Sequence, residues 1–344
     1  MINTIRPRLT IDEANIINEY RKKKKEHKAL IEECEDKGIP VDNVNYYWHK
    51  SEKFSLNVKN DTNHQQVISE IIAELSNFAP KYPEIKYKVN DDYHLLVIDP
   101  ADIHISKLAR AIETGDEYNH DIAFQRVKEA VIGLISRSSG YSINKVLFVM
   151  GNDILHVDNK NNTTTGGTPQ DSSLMWYDAF KMAQKLLIEC MELLVQVAPV
   201  HVIYNPSNHD YTSGFYLAQV IEAWFSKNEN ITFDISPAHR KYFRYYNNLI
   251  GTTHGDGAKE INLPMLMAHE SKDWSEVKHR YFYTHHIHHK KSKDYMSVNV
   301  ESMRSPSGAD SYHHKNGFQH SPKGVDAFIH HPKHGQVCRL SYIF

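Results

Sequence analysis

The residue types able to do chemistry gather in five short clusters: Asp102-Ile103-His104, Gly151-Asn152-Asp153, Asn208-His209-Asp210, His254-Gly255 and His286-Ile287-His288. Imidazole nitrogens and carboxylate oxygens together suit manganese, iron or zinc far better than calcium, which prefers an all-oxygen shell. In the D-x-H and H-x-H spacings, a period of two turns both outer side chains to one face of an extended segment. The last cluster lies in "YTHHIHHK" (283–290), where His285, His286, His288 and His289 surround Ile287. Alone, that stretch is equally a solvated histidine-rich loop, since the chain holds 23 histidines in 344 residues. Asn208-His209-Asp210 alone is equally a turn closed by side-chain hydrogen bonds. Five such clusters in one chain point to a metal centre.

Every cluster closes a short apolar run. "HLLVI" ends in "DPADIH", "KVLFVM" in "GND", "VHVIY" in "NPSNHD", "NLIGT" in "THGDG" and "RYFY" in "THHIHH". A long helical stretch, "SLMWYDAFKMAQKLLIECMELLVQ", separates the second run from the third, and "FYLAQVIEAWF" follows the third. Strands alternating with helices predict a layered α/β core. Ligands in such sheets bind at the carboxyl ends of the strands, where all five clusters fall. The polar, glycine-containing stretch 158–171 is expected as a mobile loop beside the second cluster.

The order D-x-H, G(N)D, NHD, H and H-x-H, each at a strand end, resembles the calcineurin-like metallophosphoesterase superfamily across about residues 93–290. The resemblance implies an α/β/β/α sandwich holding two divalent cations, with manganese expected and zinc or iron as alternatives. It implies that Asp102 and His104 bind the first metal and that Asp153 bridges the pair. Asn208, through its side-chain oxygen, His254 and His286 would bind the second metal, and His288 would return to the first. His209 matches the family's catalytic imidazole, with Asp210 expected to orient that ring. The remaining two histidines of 285–289 are expected outside the ligand set. "GND" before a threonine- and glycine-rich loop looks closest to phage and bacterial proteins grouped with DNA-repair exonucleases. The implied partner is a phosphate ester, DNA first, with small nucleotide esters and then phosphoproteins behind it. A non-catalytic scaffold keeping the fold is the reading of another class.

This chain departs from the family pattern in three places. Gly151-Asn152-Asp153 is one residue longer than GD, and a neutral Asn152 is a poor bridge between two dications. Ser207 and His285 stand where the family has glycine, which restricts the backbone there. Asp99 competes with Asp102 as first ligand, although only Asp102 lies two residues from His104.

Residues 1–90 read as a mainly helical appendage and 91–344 as the catalytic domain. Thr10-Ile11-Asp12-Glu13 is a capping box opening a helix that Gly38 and Pro40 stop. "YYWHKSEKFSLNVK" suggests short strands or an irregular turn, and "HQQVISEIIAELSNFA" a second amphipathic helix. The basic run Arg21–Lys25 is either a phosphate contact or a solvated helix face. With 40% hydrophobic and 24% charged residues and a formal charge of −2, the chain is globular and carries no global basic field. Cys34, Cys190 and Cys338 fit no zinc or disulfide spacing, and no segment reads as a signal peptide or membrane span. A cytoplasmic protein with no membrane contact is therefore expected, its oligomeric state open and a homodimer included.

Overall fold

The computed structural model describes residues 72–87, 91–318 and 320–344, positions 28, 31, 32, 34 and 35, and two early strands. Residues 1–71 and 72–344 form two separate units. In the first, β1 (Tyr46–Lys50) and β2 (Ser55–Lys59) pair as an antiparallel hairpin, and the described positions between 28 and 35 are helical. The capping box and the basic run Arg21–Lys25 lie outside the described residues.

The second unit contains, in order, β3 (Tyr93–Asp99), α1 (His120–Arg137), β4 (Ser142–Gly151), α2 (Trp176–Val195), β5 (Val200–Asn205), α3 (Tyr211–Trp224) and β6 (Ile231–Asp234). There follow β7 (Lys241–Tyr245), β8 (Asn248–Thr253), α4 (Leu263–Glu270), β9 (His279–Thr284), β10 (Lys291–Tyr295) and β11 (Val298–Ser302). A short α5 (Ser311–Lys315), β12 (Gly324–His331) and β13 (Gly335–Ile343) complete it. Residues 72–78 are helical, and the stretch after them packs on this unit, ahead of the boundary expected near residue 90. There Tyr82 stacks on Phe225 with centroids 5.5 Å apart, and the Tyr87 hydroxyl donates to the Val195 carbonyl at 2.7 Å.

Two sheets face each other. One has the order β13-β12-β3-β4-β5-β6, parallel from β3 to β6, and the other β10-β11-β9-β8-β7, parallel across β11, β9 and β8. The apolar runs are continuous because both faces of each central strand are covered. In β3, Leu96 and Ile98 pack under the helices while Leu95 and Val97 fill the space between the sheets. Val146 and Phe148 against Leu147 and Val149 in β4 repeat that alternation. Helices α1, α2 and α3 cover the first sheet, and α4 places Leu263 and Met267 on Leu249 and Phe282 of the second. The layers run α/β/β/α.

Sequence reading left α1 uncalled. Its signals are an Asn119 cap, whose side chain accepts from the Ile122 N–H at 3.0 Å, and buried Ala123, Val127, Ala130, Val131 and Leu134. Among the described residues no helix is long and apolar enough to cross a membrane.

Candidate metal centre

The carboxyl ends of β3, β4 and β5 open beside those of β8 and β9, which brings all five clusters together. Past the strand ends, residues 102–105 run alongside 152–156: Asp102 N donates to Asn152 O at 2.8 Å, and His104 N to Asp153 O at 2.9 Å. Gly151 has φ +98, and a Cβ there would collide with the Asn205 carbonyl, so only glycine lets β4 turn so close to β5.

The clusters do not reach the site as extended strand ends, which corrects the period-two expectation. Asp102, His104, Asn152, Asp153, His286 and His288 all have φ between +50 and +69. They are six of the ten non-glycine residues with positive φ among the described residues. Such backbone costs on the order of 1–3 kcal/mol per residue and persists where surrounding contacts enforce it, commonly at functional sites. Ser207 and His285 have no positive φ, so neither turn needs the family's glycine. Ser207 instead accepts from Asp153 N at 2.7 Å and donates to Asp210 Oδ1 at 2.6 Å.

Two donor sets result. Asp102, His104 and His288 form one; Asp153, His254 and His286 form the other, with Asn208 Oδ1 2.9 Å from His254 Nε2, and a further group beside them, His104, His156 and His209, contains no carboxylate. Donor atoms about 2.1 Å from one cation lie roughly 3.0–3.4 Å apart in octahedral or tetrahedral shells. The Nε2 atoms of His104 and His288 are 3.3 Å apart, and His288 Nε2 is 3.6 Å from Asp102 Oδ1. Asp153 Oδ2 lies 3.2 Å from His254 Nε2 and 3.9 Å from His104 Nε2, between the two sets. Asn152 is fully buried, and among the described residues neither polar atom of its amide meets a hydrogen-bond partner.

The electrostatics ask for positive charge. Asp102 and Asp153 are buried. Burial above all, with Asp153 beside it, pushes the Asp102 carboxyl up to about 7 against the pull of His254. Burial opposes charge on His254, yet Asp153 and Asp102 outweigh it and raise the imidazole to about 9. Without a cation, a proton on His254 is thus what offsets the carboxylates. Burial first, then neighbouring cationic groups, hold His104 and His288 well below the ordinary histidine value. Neutral imidazoles keep the lone pair a metal needs. The donor set fits two transition-metal cations.

His209 lies against this centre. Its backbone N donates to Asp153 Oδ1 at 2.9 Å, and its ring lies 4.6 Å from that of His104. Asp210 does not orient that ring, contrary to the expectation from the resemblance. Its carboxylate accepts from Ser207 Oγ at 2.6 Å and from Leu155 N at 2.9 Å, tying the third cluster to the second. The partner of His209 Nδ1 is the His156 carbonyl, at 2.9 Å.

The rivals and bystanders also find places. Asp99 Oδ2 is 2.8 Å from His285 Nε2, and His285 Nδ1 is 3.0 Å from the Thr253 carbonyl. This buried pair joins the two sheets beneath the centre and keeps Asp99 out of both donor sets. His289 is exposed, its Nδ1 on the Ile287 carbonyl at 2.8 Å. Asp158 accepts from the N–H groups of Thr212 and Ser213, at 3.1 and 2.7 Å, and so caps α3. The expected loop 158–171 does border the site: Thr164, Thr168 and Asp171 line its cleft.

That cleft has a volume of about 1020 Å³. At its far wall Lys107, buried, is 2.9 Å from Asp310 Oδ2, and Asp310 Oδ1 is 2.6 Å from His313 Nδ1. His313 stacks on His288 at 5.1 Å, and the exposed rings of Tyr312 and Phe318 edge the opening. The stretch "DSYHHKNGF" (310–318) contains Asp310, Tyr312, His313 and Phe318, but nothing local in it separates a cleft rim from a surface turn.

No protein-family model matches the sequence, and no curated protein matches it significantly. Solved structures similar to it include a novel archaeal phosphodiesterase, 11% identical, covering 72% of this chain and 99% of that one at a TM-score of 0.34. Zinc-complexed Vps29 from Entamoeba histolytica is 12% identical, with coverages of 72% and 98% and a TM-score of 0.31. A predicted phosphoesterase from Streptococcus pneumoniae is 11% identical, with coverages of 73% and 98% and a TM-score of 0.28. Values this low assign no activity to the chain.

Proposed function

We propose that the protein is a dinuclear metal-dependent phosphoesterase that hydrolyses phosphodiesters, with DNA as the favoured substrate. The observation that carries this reading is Asp153 Oδ2, 3.2 Å from His254 Nε2 and 3.9 Å from His104 Nε2, between two donor sets that each combine carboxylate and imidazole. Asp102, His104 and His288 would hold one cation and Asn208, His254 and His286 the other, with Asp153 shared. When bound, the pair supplies a hydroxide nucleophile near neutral pH and offsets charge on the phosphoryl oxygens.

The chain's own residues supply the rest. His209 gives its Nδ1 hydrogen to a carbonyl, so Nε2 is its free nitrogen, and the imidazolium form, with a second hydrogen there, is the one that would pass a proton to the departing oxygen. The Asp102 and Asp153 carboxylates would hold the cations in a buried setting where their charge acts with little screening. A polynucleotide is favoured by the open cleft with Tyr312 and Phe318 on its edge, since aromatic side chains stack on bases of any sequence. The resemblance of "GND" and its following loop to the exonuclease branch points the same way, and manganese is the cation proposed.

Metal analysis of the purified protein, followed by a panel of linear and circular DNA, RNA, cyclic nucleotides and an aryl phosphodiester with manganese, tests this. Two ions per chain with hydrolysis of the aryl diester and of DNA is the expected result. Diester hydrolysis without DNA cleavage moves the substrate to small phosphate esters. Absence of both metal and turnover overturns the enzyme in favour of a scaffold.

A further inference from the structure

His156 belongs to neither donor set, yet it touches both the centre and the catalytic imidazole. It is 2% exposed and lines the cleft, three residues beyond Asp153. Its Nδ1 lies 3.3 Å from His104 Nδ1, with the two rings nearly perpendicular at 87°. Its ring also stacks on His209 at 5.3 Å and 18°, while its carbonyl receives His209 Nδ1. Its own N–H donates to Ile105 O at 3.1 Å, which anchors it to the segment carrying His104.

With no cation between them, two ring nitrogens at 3.3 Å are joined by a hydrogen that one of them carries. Which one does decides what His104 can bind. A neutral imidazole has one N–H and one lone pair. If the hydrogen is on His156, then His104 Nδ1 holds the lone pair and its Nε2 hydrogen points at His288 Nε2. That arrangement has no ligand to give. If it is on His104 Nδ1, the lone pair sits on Nε2, the atom facing His288 and Asp153.

We infer that His156 is a positioning residue: its Nδ1 accepts the His104 Nδ1 hydrogen and so fixes His104 in the tautomer whose Nε2 binds the first cation. This rests on the dinuclear reading above. The same accounting leaves the His156 hydrogen on Nε2. Ligating histidines generally hand their second nitrogen to a neighbouring acceptor, and losing that acceptor typically costs about 10–100-fold in metal affinity or activity. A histidine serving as the acceptor also carries its carbonyl to His209, so one residue sets both rings.

The test is manganese affinity of the full chain, measured by titration in wild type, His156→Phe and His156→Gln. Phenylalanine fills the space and retains the carbonyl for His209 but accepts nothing. Glutamine restores an acceptor oxygen. His156→Phe should lose about 10–100-fold in affinity at one of two sites, and His156→Gln should regain most of it. Thermal unfolding of the metal-free proteins should be alike, which separates a lost acceptor from a damaged fold. Wild-type affinity in His156→Phe overturns the inference, and so does an equal loss in both variants, which would mean packing alone. A wild-type chain that binds no manganese sinks the dinuclear reading with it, whereas two-site binding indifferent to His156→Phe sinks this inference alone.

Discussion

Two histidine clusters sit at opposite ends of the same strand, β3, and only one has the buried carboxylates that the proposed cations would need. At the carboxyl end, Asp102 and Asp153 are buried beside the neutral imidazoles of His104 and His288, whose Nε2 atoms lie 3.3 Å apart. At the amino end, Asp92, His94, His331 and His334 also gather, with His331 Nε2 3.6 Å from Asp92 Oδ1. There the Asp92 side chain is 77% exposed, and water already stabilises its charge. His331 Nδ1 accepts from the N–H groups of Lys333 and His334 at 3.0 and 3.2 Å. A nitrogen that receives two hydrogens carries none, so neutral His331 has its hydrogen on Nε2 and no lone pair facing Asp92. Proximity of ligand types is therefore a weak criterion. Burial of the carboxylates and the direction of the lone pairs make the difference.

Removing the shared carboxylate should break the comparison most severely. Asp153→Asn is expected to abolish most activity and most metal at one or both positions, read by elemental analysis. Unchanged occupancy in that variant, with loss in Asn152→Ala, would transfer the bridge to Asn152. Next comes His209→Ala, which should keep both ions while turnover falls on the order of 10²–10⁴-fold. Substrates with very good leaving groups should suffer less. Equal losses for good and poor leaving groups would assign His209 to stabilising charge instead of giving a proton.

A smaller effect sharpens the electrostatic half of the contrast. His254 titrates at about 9 without a cation, so at pH 7 it carries a proton that the second ion must displace. Manganese affinity should then rise with pH, by up to about tenfold per unit while one proton is released, and level off above pH 9. Affinity independent of pH between 7 and 9 would show that His254 is not a ligand. The least effect is expected at the far cluster. His331→Ala should leave the stoichiometry at two ions, and a third ion in the wild type that vanishes in this variant would erase the distinction drawn here.

Much of this centre is legible residue by residue because its chemistry tolerates few substitutes. A cation shell needs imidazole and carboxylate donors, and double-sided burial needs unbroken apolar runs, so Asp102, His104, Asp153 and strands β3 to β5 stand out. Their conformation does not. The left-handed backbone at Asp102, His104, His286 and His288 is enforced by contacts between clusters, such as Asp102 N on Asn152 O, that lie far apart in the chain. Asp210 departs from expectation for the same reason: the resemblance implies His209 as its partner, while folding gives it Ser207 and Leu155.

What the amino-acid order determined by itself is the inventory: which donors exist, that each closes an apolar run, and that strands and helices alternate. Only the tertiary structure decided their pairing. It set Asp99 on His285, His156 between His104 and His209, and Lys107 with Asp310 and His313 across the cleft. The physical reason is the range of the forces involved. Apolar periodicity and ligand type are properties of a few consecutive residues. A lone pair or a buried charge is settled by whichever distant group the packed sheets bring within about 3 Å.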